Sequence, residues 1–159
     1  PFPGLRTHVD ARAGGTLRID CGFGDPLAFP PRAITIGGAD VLGVAPEVMF
    51  GWKVHGLFEH GRGQWRAKDL FDLILLDTYV ALDEQALVRS VELAFRSRDT
   101  DLALADRFLY GVGWGTSRGG RRKWQTFARR REGGPEVPPL EEAIARVRAR
   151  LLPIFAALR

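Results

Sequence analysis

Two helices joined by a short turn are encoded by residues 46–72, PEVMFGWKVHGLFEHGRGQWRAKDLFD. In the first helix, apolar residues recur at helical spacing and leave Lys53 on the flank of the buried stripe. In the second, Asp69 and Asp72 are three residues apart and therefore share one face. The segment predicts that one cation and two carboxylates converge near the turn.

Such a convergence has more than one explanation. Two carboxylates on one face repel each other, so they are expected where a positive group lies between them. That group is a divalent metal ion, a group of a substrate, or Lys53 itself. A structural explanation also stands, because an acidic residue in the first turn stabilises a helix by roughly 0.3–1 kcal/mol through the helix dipole. Spacing alone does not separate these explanations.

The N-terminal part of the chain has strand-like patterns. Residues 16–23 alternate between apolar and polar side chains, and residues 32–36 form a second short apolar run after a proline-rich turn. These two strands are expected to form the edge of one sheet. We therefore predict an α+β fold, with sheet-edge strands or a short β-hairpin in residues 1–40 and a mainly helical bundle in residues 41–159.

Further helices are predicted downstream. The second helix of the opening segment is expected over residues 67–81, and a third begins at Asp83, an acidic residue suited to capping. A last helix is predicted from Pro139 to Arg159, with Pro153 kinking or splitting it.

A basic segment without acidic residues extends from Arg118 to Arg131, in a chain with a net charge of +4. Such a segment favours a polyanion, because phosphate contacts supply most non-specific affinity for nucleic acids. Trp114, Trp124 and Phe127 are placed to stack on bases. Alternatively, Trp124 and Phe127, three residues apart, form the buried stripe of an amphipathic helix whose arginines are solvated. The predicted nucleic-acid-binding residues are Arg121, Arg122, Lys123, Arg129, Arg130 and Arg131.

Composition narrows the class of protein. The 159 residues suit one domain, and no apolar stretch approaches the roughly 20 residues that span a bilayer. That lack of an apolar span predicts a protein with no membrane partner. Cys21 is the only cysteine, which fits the reducing cytoplasm. His55 and His60 are five residues apart, a spacing unsuited to zinc, and no hydrolase motif of the nucleophile-elbow type occurs.

Five segments resemble, in order and approximate spacing, the C-terminal half of the AbiEii/AbiGii toxin family. These toxins are nucleotidyltransferases of type IV toxin–antitoxin and phage-abortive systems. The segments are LRIDCGFGDPL, APEVMFGWKVHGLFEHG, QWRAKDLFDLILL, VELAFRSRDT and RRKWQTFARRR, and the resemblance covers roughly residues 5–155. It implies a DNA polymerase β-like nucleotidyltransferase fold, in which a hydroxyl of RNA or protein attacks a magnesium-bound nucleoside triphosphate. Some relatives modify transfer RNA.

The resemblance also implies roles for individual residues. Lys53 resembles the family's helix lysine that contacts the triphosphate, and Lys68 and Arg66 are assigned to the same nucleotide. Asp69 resembles the family's essential acid, and Asp72 is the second acid of that motif. We therefore expect Asp69 and Asp72 to be catalytic.

Asp20 is the third expected catalytic residue and the expected metal ligand. Polymerase β-like sites take one Mg²⁺ carboxylate from a strand beside their Asp-x-Asp element, and Asp20 in LRIDCGFGD is the best match by resemblance. The alternative is a solvent-facing residue of an amphipathic strand, because alternation alone predicts a polar side chain there.

Two features depart from the family pattern. Gly51 and Trp52 stand where the family usually has Ala-Glu, and the early Gly-Ser followed by Asp-x-Asp is absent from the sequence, which starts at Pro1. These departures suggest a C-terminal part that is inactive without its missing N-terminal half. That half, or a cognate antitoxin, is then a partner. The alternative is a non-catalytic module that binds RNA or an antitoxin.

Overall fold

The computed structural model describes residues 4–10, 14–59, 64–131 and 133–159, apart from the side chain of Asp20. His60 of the predicted turn therefore lies outside the described residues. Two β-hairpins come first, and a helical body follows. This arrangement confirms the predicted α+β fold, with short hairpin strands ahead of a mainly helical part.

The strands form two separate antiparallel sheets of two strands each. β1 pairs with β2, and β3 pairs with β4. Gly37 and Gly38 join β3 to β4, with φ angles of +59° and +83°. A two-residue turn of this kind requires positive φ at both positions, which glycine adopts without strain. The strand bounds are Gly4–Asp10, Thr16–Gly22, Arg32–Ile36 and Ala39–Gly43 for β1 to β4.

The expectation that residues 16–23 and 32–36 form one sheet edge is wrong. Each of these strands pairs with a neighbour in sequence that the pattern did not identify. The physical reason is loop closure, because a short turn brings adjacent segments together at a smaller entropic cost than a longer connection. β4 also extends across the proposed boundary between residues 40 and 41.

The helical part begins directly after β4. The described helices are α1 (Pro46–Phe58), α2 (Ala67–Tyr79), α3 (Glu84–Arg96), a 3₁₀ turn (Leu102–Ala105), α4 (Asp106–Leu109), α5 (Arg118–Arg129) and α6 (Leu140–Ala157). α3 begins as predicted, since the Asp83 carboxylate accepts a hydrogen bond of 2.7 Å from the amide of Ala86. α6 passes through Pro153 as one helix, so Pro153 does not split it, and the alternative of a kink stays a prediction. None of the described helices is long and apolar enough to span a membrane.

α1 packs against α2 and α3, and α6 packs across those two helices. The predicted stripe of α1, which includes Phe50, Val54 and Leu57, is buried in this core. α1 and α3 cross closely at Gly51, where an added Cβ would lie 2.6 Å from the carbonyl oxygen of Ser90. The core therefore fixes α1 against α2, and with it the side chains that the two helices share.

Candidate functional site

Lys53 of α1 lies between two carboxylates of α2. Its Nζ is 2.8 Å from Asp69 Oδ1 and 2.8 Å from Asp72 Oδ2. Lys68, one turn before Asp72 on α2, places its own Nζ 2.7 Å from the same Oδ2. The predicted convergence of one cation and two carboxylates is therefore confirmed. The positive group between the carboxylates is Lys53, and a second cation supports the outer carboxylate.

The backbone of α1 explains how Asp69 fits so closely. Lys53 and Gly56 are three residues apart and share a face of α1. A Cβ added at Gly56 would lie 2.9 Å from Asp69 Oδ2. The carboxylate therefore sits between the ammonium group and bare helix backbone, and Asp69 is only 6% exposed. Gly56 was not among the residues predicted from the sequence. The available signal was a glycine within a helix, three residues after the candidate lysine.

The cluster is partly shielded from solvent, which affects its protonation. Burial by itself lowers the pKa of Lys53, but the hydrogen bonds and charges of Asp69 and Asp72 outweigh it, so the pKa of Lys53 is raised. Burial by itself raises the pKa of Asp72, but Lys53 and Lys68 outweigh it, so that pKa is lowered. Lys53 and Asp72 are therefore both charged at neutral pH.

Two other predicted site residues are not part of these contacts. Arg66 lies elsewhere, and the side chain of Asp20 is outside the described part of the structure. Arg66, directly before α2, has its Nη2 atom 3.5 Å from Glu59 Oε1 near the end of α1. Asp20 lies in β2, opposite Arg6 in the hairpin register, and its side chain is outside the described part of the structure. The roles of Arg66 and Asp20 remain predictions.

A magnesium site does not fit the described side chains by themselves. Among them, no group of three or more His, Cys, Asp or Glu residues lies close enough to hold a metal ion. Asp69 and Asp72 already share the ammonium group of Lys53, which occupies the space between their oxygen atoms. No chemical step can therefore be assigned to a metal from these residues.

The basic residues of α5 and its C-terminal end fall into two groups. Three of the six candidates contact other parts of the chain. Arg121 pairs with Glu141, Lys123 donates a hydrogen bond of 2.9 Å to the carbonyl of Trp65, and Arg131 lies 4.6 Å above the ring centroid of Phe71. Arg122, Arg129 and Arg130 are exposed, and the described residues offer their side chains no hydrogen-bond or ion-pair partner.

A groove runs between α5 and the start of α2. Its volume is about 660 Å³, and Phe127, Thr126 and Ala67 form part of its wall. Ala67 is the first residue of α2, two positions before Asp69, so the groove begins close to the Lys53 cluster in the chain. Among the residues that the structure describes, no acidic residue lines it. The basic residues that do are Arg122, Lys123, Arg130 and Arg131.

Of the aromatic residues near this groove, Trp124 is buried in the core, and Trp114 and Phe127 pack against it. Trp124 is 4% exposed, and its indole Nε1 donates a hydrogen bond of 2.9 Å to the carbonyl of Pro138. Trp114 packs edge-on against Phe108 with ring centroids 4.7 Å apart. Trp124 is therefore too buried to stack on a base, as the helix-stripe explanation predicts, whereas Phe127 is only partly buried and lines the groove. Burial wins because an indole ring removes a large apolar area from water.

Comparison with models of protein families gives a match to the nucleotidyl transferase AbiEii toxin of type IV toxin–antitoxin systems, over residues 1–146. Comparisons with curated proteins and with solved structures give no match. The matched region covers most of the 159 residues and contains both the Lys53 cluster and α5. This chain therefore belongs to the AbiEii family of nucleotidyltransferase toxins.

Proposed function

We propose that this chain provides nucleotide-binding helices of an AbiEii-type toxin that transfers a nucleotide from a nucleoside triphosphate to RNA. The observation that carries the proposal is the position of Lys53, a charged ammonium group held at 2.8 Å by each of two carboxylates. Nucleotidyl transfer concentrates negative charge on phosphate oxygens. The reaction therefore requires positive groups that are held in fixed positions.

The second cation of the cluster makes phosphate binding feasible. When a triphosphate oxygen approaches Lys53, Asp72 can release the ammonium group and keep its contact of 2.7 Å with Lys68. No carboxylate is then left as an isolated charge, which would be costly in a partly buried site. Asp72 is the natural group to move, because its side chain is 18% exposed and that of Asp69 is 8% exposed.

Asp69 is proposed to act on the acceptor. Its carboxylate orients the attacking hydroxyl or accepts its proton while the hydroxyl oxygen bonds to the α-phosphorus and pyrophosphate leaves. Mg²⁺ would neutralise phosphate charge in the family reaction. Its ligands would have to include residues beyond the described side chains, and Asp20 remains the proposed one in this sequence.

Nucleotide binding tests the role of Lys53. We expect the purified chain to bind labelled nucleoside triphosphate, and Lys53→Met to weaken binding by roughly 10- to 100-fold. That range corresponds to a hydrogen bond to a charged group, worth about 1.5–3 kcal/mol. Equilibrium binding of a fluorescent nucleoside triphosphate gives the two dissociation constants.

The matched control is Arg89→Met, which removes one exposed positive charge from α3 and leaves the Lys53 cluster intact. Circular dichroism of each variant separates lost binding from lost structure. Equal affinity of the wild type and a folded Lys53→Met variant would exclude Lys53 as the triphosphate contact.

We further propose that the chain alone transfers no nucleotide. Incubation with labelled triphosphates, magnesium and total transfer RNA tests this, and Asp69-dependent labelling of RNA would refute it.

RNA is the proposed acceptor, with transfer RNA as the first candidate and a protein hydroxyl as the alternative. The groove supports RNA, because four basic side chains, and no acidic one of the described residues, line one surface beside the start of α2. The structure changes which residues should be tested. Arg121 already pairs with Glu141, whereas Arg122, Arg129 and Arg130 project from the surface.

Replacing Arg122, Arg129 and Arg130 together with glutamine is expected to weaken RNA binding and flatten its salt dependence. The slope of log K against log salt should fall by roughly 0.7 to 0.9 for each phosphate contact removed. Binding of total transfer RNA at several salt concentrations measures both quantities. Replacing Arg89, Arg96 and Arg107 with glutamine is the control, because all three are exposed on other helices. An equal change in both triple variants would assign the effect to net charge.

The alternative function is a non-catalytic module that binds RNA or a cognate antitoxin. Salt-sensitive RNA binding without any nucleotide binding would favour it over the enzyme.

We also propose that the protein acts in the cytoplasm. In the same proposal, residues 1–40 are a remnant of the nucleotidyltransferase sheet and residues 41–159 a helical domain.

A further inference from the structure

We propose that Gly56 is a positioning residue for Asp69, because the absence of a side chain at Gly56 creates the space that the Asp69 carboxylate occupies. This inference rests on the proposed function only for the chemical role of Asp69. Its geometric content stands on the contact between α1 and α2 alone.

The carboxylate is held from two sides by one face of α1. Asp69 Oδ1 accepts a hydrogen bond of 2.8 Å from Lys53 Nζ, and Oδ2 lies where a Cβ at Gly56 would be 2.9 Å away. Real Cβ atoms essentially never come so close to another heavy atom. While Asp69 keeps its present position, position 56 therefore cannot hold any residue larger than glycine.

Helix stability alone gives no reason for glycine at this place. Alanine is favoured over glycine in a helix, and Gly56 lies in the last turn of α1 without the positive φ that a capping glycine takes. A close helix crossing explains Gly51, where the nearest atom to an added Cβ is the backbone oxygen of Ser90. At Gly56 the nearest atom belongs to a carboxylate instead. The glycine therefore makes room for a functional side chain and not for a neighbouring helix.

The carboxylate has little freedom to avoid an added methyl group. Asp69 is a short side chain on a buried position of α2, so rotating away from Gly56 also moves Oδ1 away from Lys53. Gly56→Ala is thus expected to loosen the contact between Lys53 and Asp69 while leaving Asp72 paired with Lys68.

A double-mutant cycle tests the space requirement. Gly56→Ala should lower the urea midpoint of the wild type, because the methyl group collides with the carboxylate. In an Asp69→Ala background the same change should raise the midpoint, because the collision is gone and alanine favours the helix. Gly119→Ala is the matched control. It lies in α5 with no atom nearer than 4.0 Å to an added Cβ, and its effect should be the same in both backgrounds.

A spectroscopic measurement of the site separates positioning from general stability. The sequence contains three lysines, Lys53, Lys68 and Lys123, so the NMR signal of each side chain can be assigned by single substitutions. The pKa of Lys53 should fall in Gly56→Ala, because the raising effect of Asp69 is weakened, and should stay unchanged in Gly119→Ala. The signal of Lys123 serves as an internal reference.

The outcomes are distinct. An effect of Gly56→Ala with the same sign in both backgrounds, together with an unchanged Lys53 pKa, would overturn the inference. A reversed sign with a lowered Lys53 pKa supports it. If that result comes with unchanged nucleotide affinity in Gly56→Ala and in Lys53→Met, Gly56 still positions Asp69, and the nucleotide role of the cluster fails separately.

Discussion

Lys53→Met is expected to lower the free energy of unfolding by about 2–3 kcal/mol. Removing one partner of a fully buried ion pair costs about 3–5 kcal/mol, whereas exposed pairs contribute at most about 1 kcal/mol. The Lys53 cluster lies between these limits, since its side chains are 19% exposed for Lys53 and 8% for Asp69. The loss arises because Asp69 stays buried without its ammonium partner. Chemical denaturation of wild type and variant measures it.

Lys53 and Asp72 define a pH window for this difference in stability. The pKa of Asp72 is lowered below 3.8 in the folded state, so its contribution is present above that value and is lost as pH falls through the folded pKa. The pKa of Lys53 is raised above 10.5, so its contribution is present below that value and is lost as pH rises through the folded pKa.

The stability difference between the wild type and Lys53→Met should therefore be largest and nearly constant between about pH 4 and pH 10. Unfolding measured in urea at a series of pH values gives the profile. Arg89→Met serves again as the control and should show no such window. A difference that stays constant down to pH 2 would contradict the contribution of Asp72.

Trp124→Ala is expected to lower the free energy of unfolding by about 3–5 kcal/mol, the usual cost of truncating a large buried aromatic residue. Trp124 is 4% exposed. Its ring centroid lies 5.5 Å from that of Phe127 and 6.3 Å from that of Trp65. The variant also leaves the carbonyl of Pro138 without its indole donor. Thermal and chemical denaturation measure the loss.

Tyr79→Ala provides the comparison, because Tyr79 is 69% exposed and its removal should change stability by less than about 0.5 kcal/mol. A stable Trp124→Ala variant with impaired RNA binding would instead indicate that the indole ring meets bases. The predicted pattern is the reverse, with stability lost first and RNA affinity reduced only as far as α5 unfolds.

The local patterns of the chain were sufficient for most helices and for the candidate cluster. α1 begins at the predicted Pro46, and α3 follows the predicted cap at Asp83. Periodicity predicts a helix well because its buried face is defined by apolar residues that are only three or four positions apart. The meeting of Lys53 with Asp69 and Asp72 followed from the same logic, since two consecutive helices bring their adjoining faces together.

The strand pairing depended on information that alternation does not contain. Alternation identifies one buried or exposed face of a strand, but it is equally compatible with several partners. The short Gly37-Gly38 turn was the local signal for pairing β3 with β4, and it was not recognised in the sequence.

The sequence by itself determined α1, α2, α3 and α6, the charged residues of the candidate cluster and the basic character of α5. Only the tertiary structure decided that Trp124 is buried, that Arg121 is held by Glu141, and that Lys123 reaches the carbonyl of Trp65, 58 residues away along the chain. It also decided that Gly56 leaves room for Asp69. The reason is physical: periodicity reports one helix at a time, whereas the partner of a side chain is set by which helices pack together.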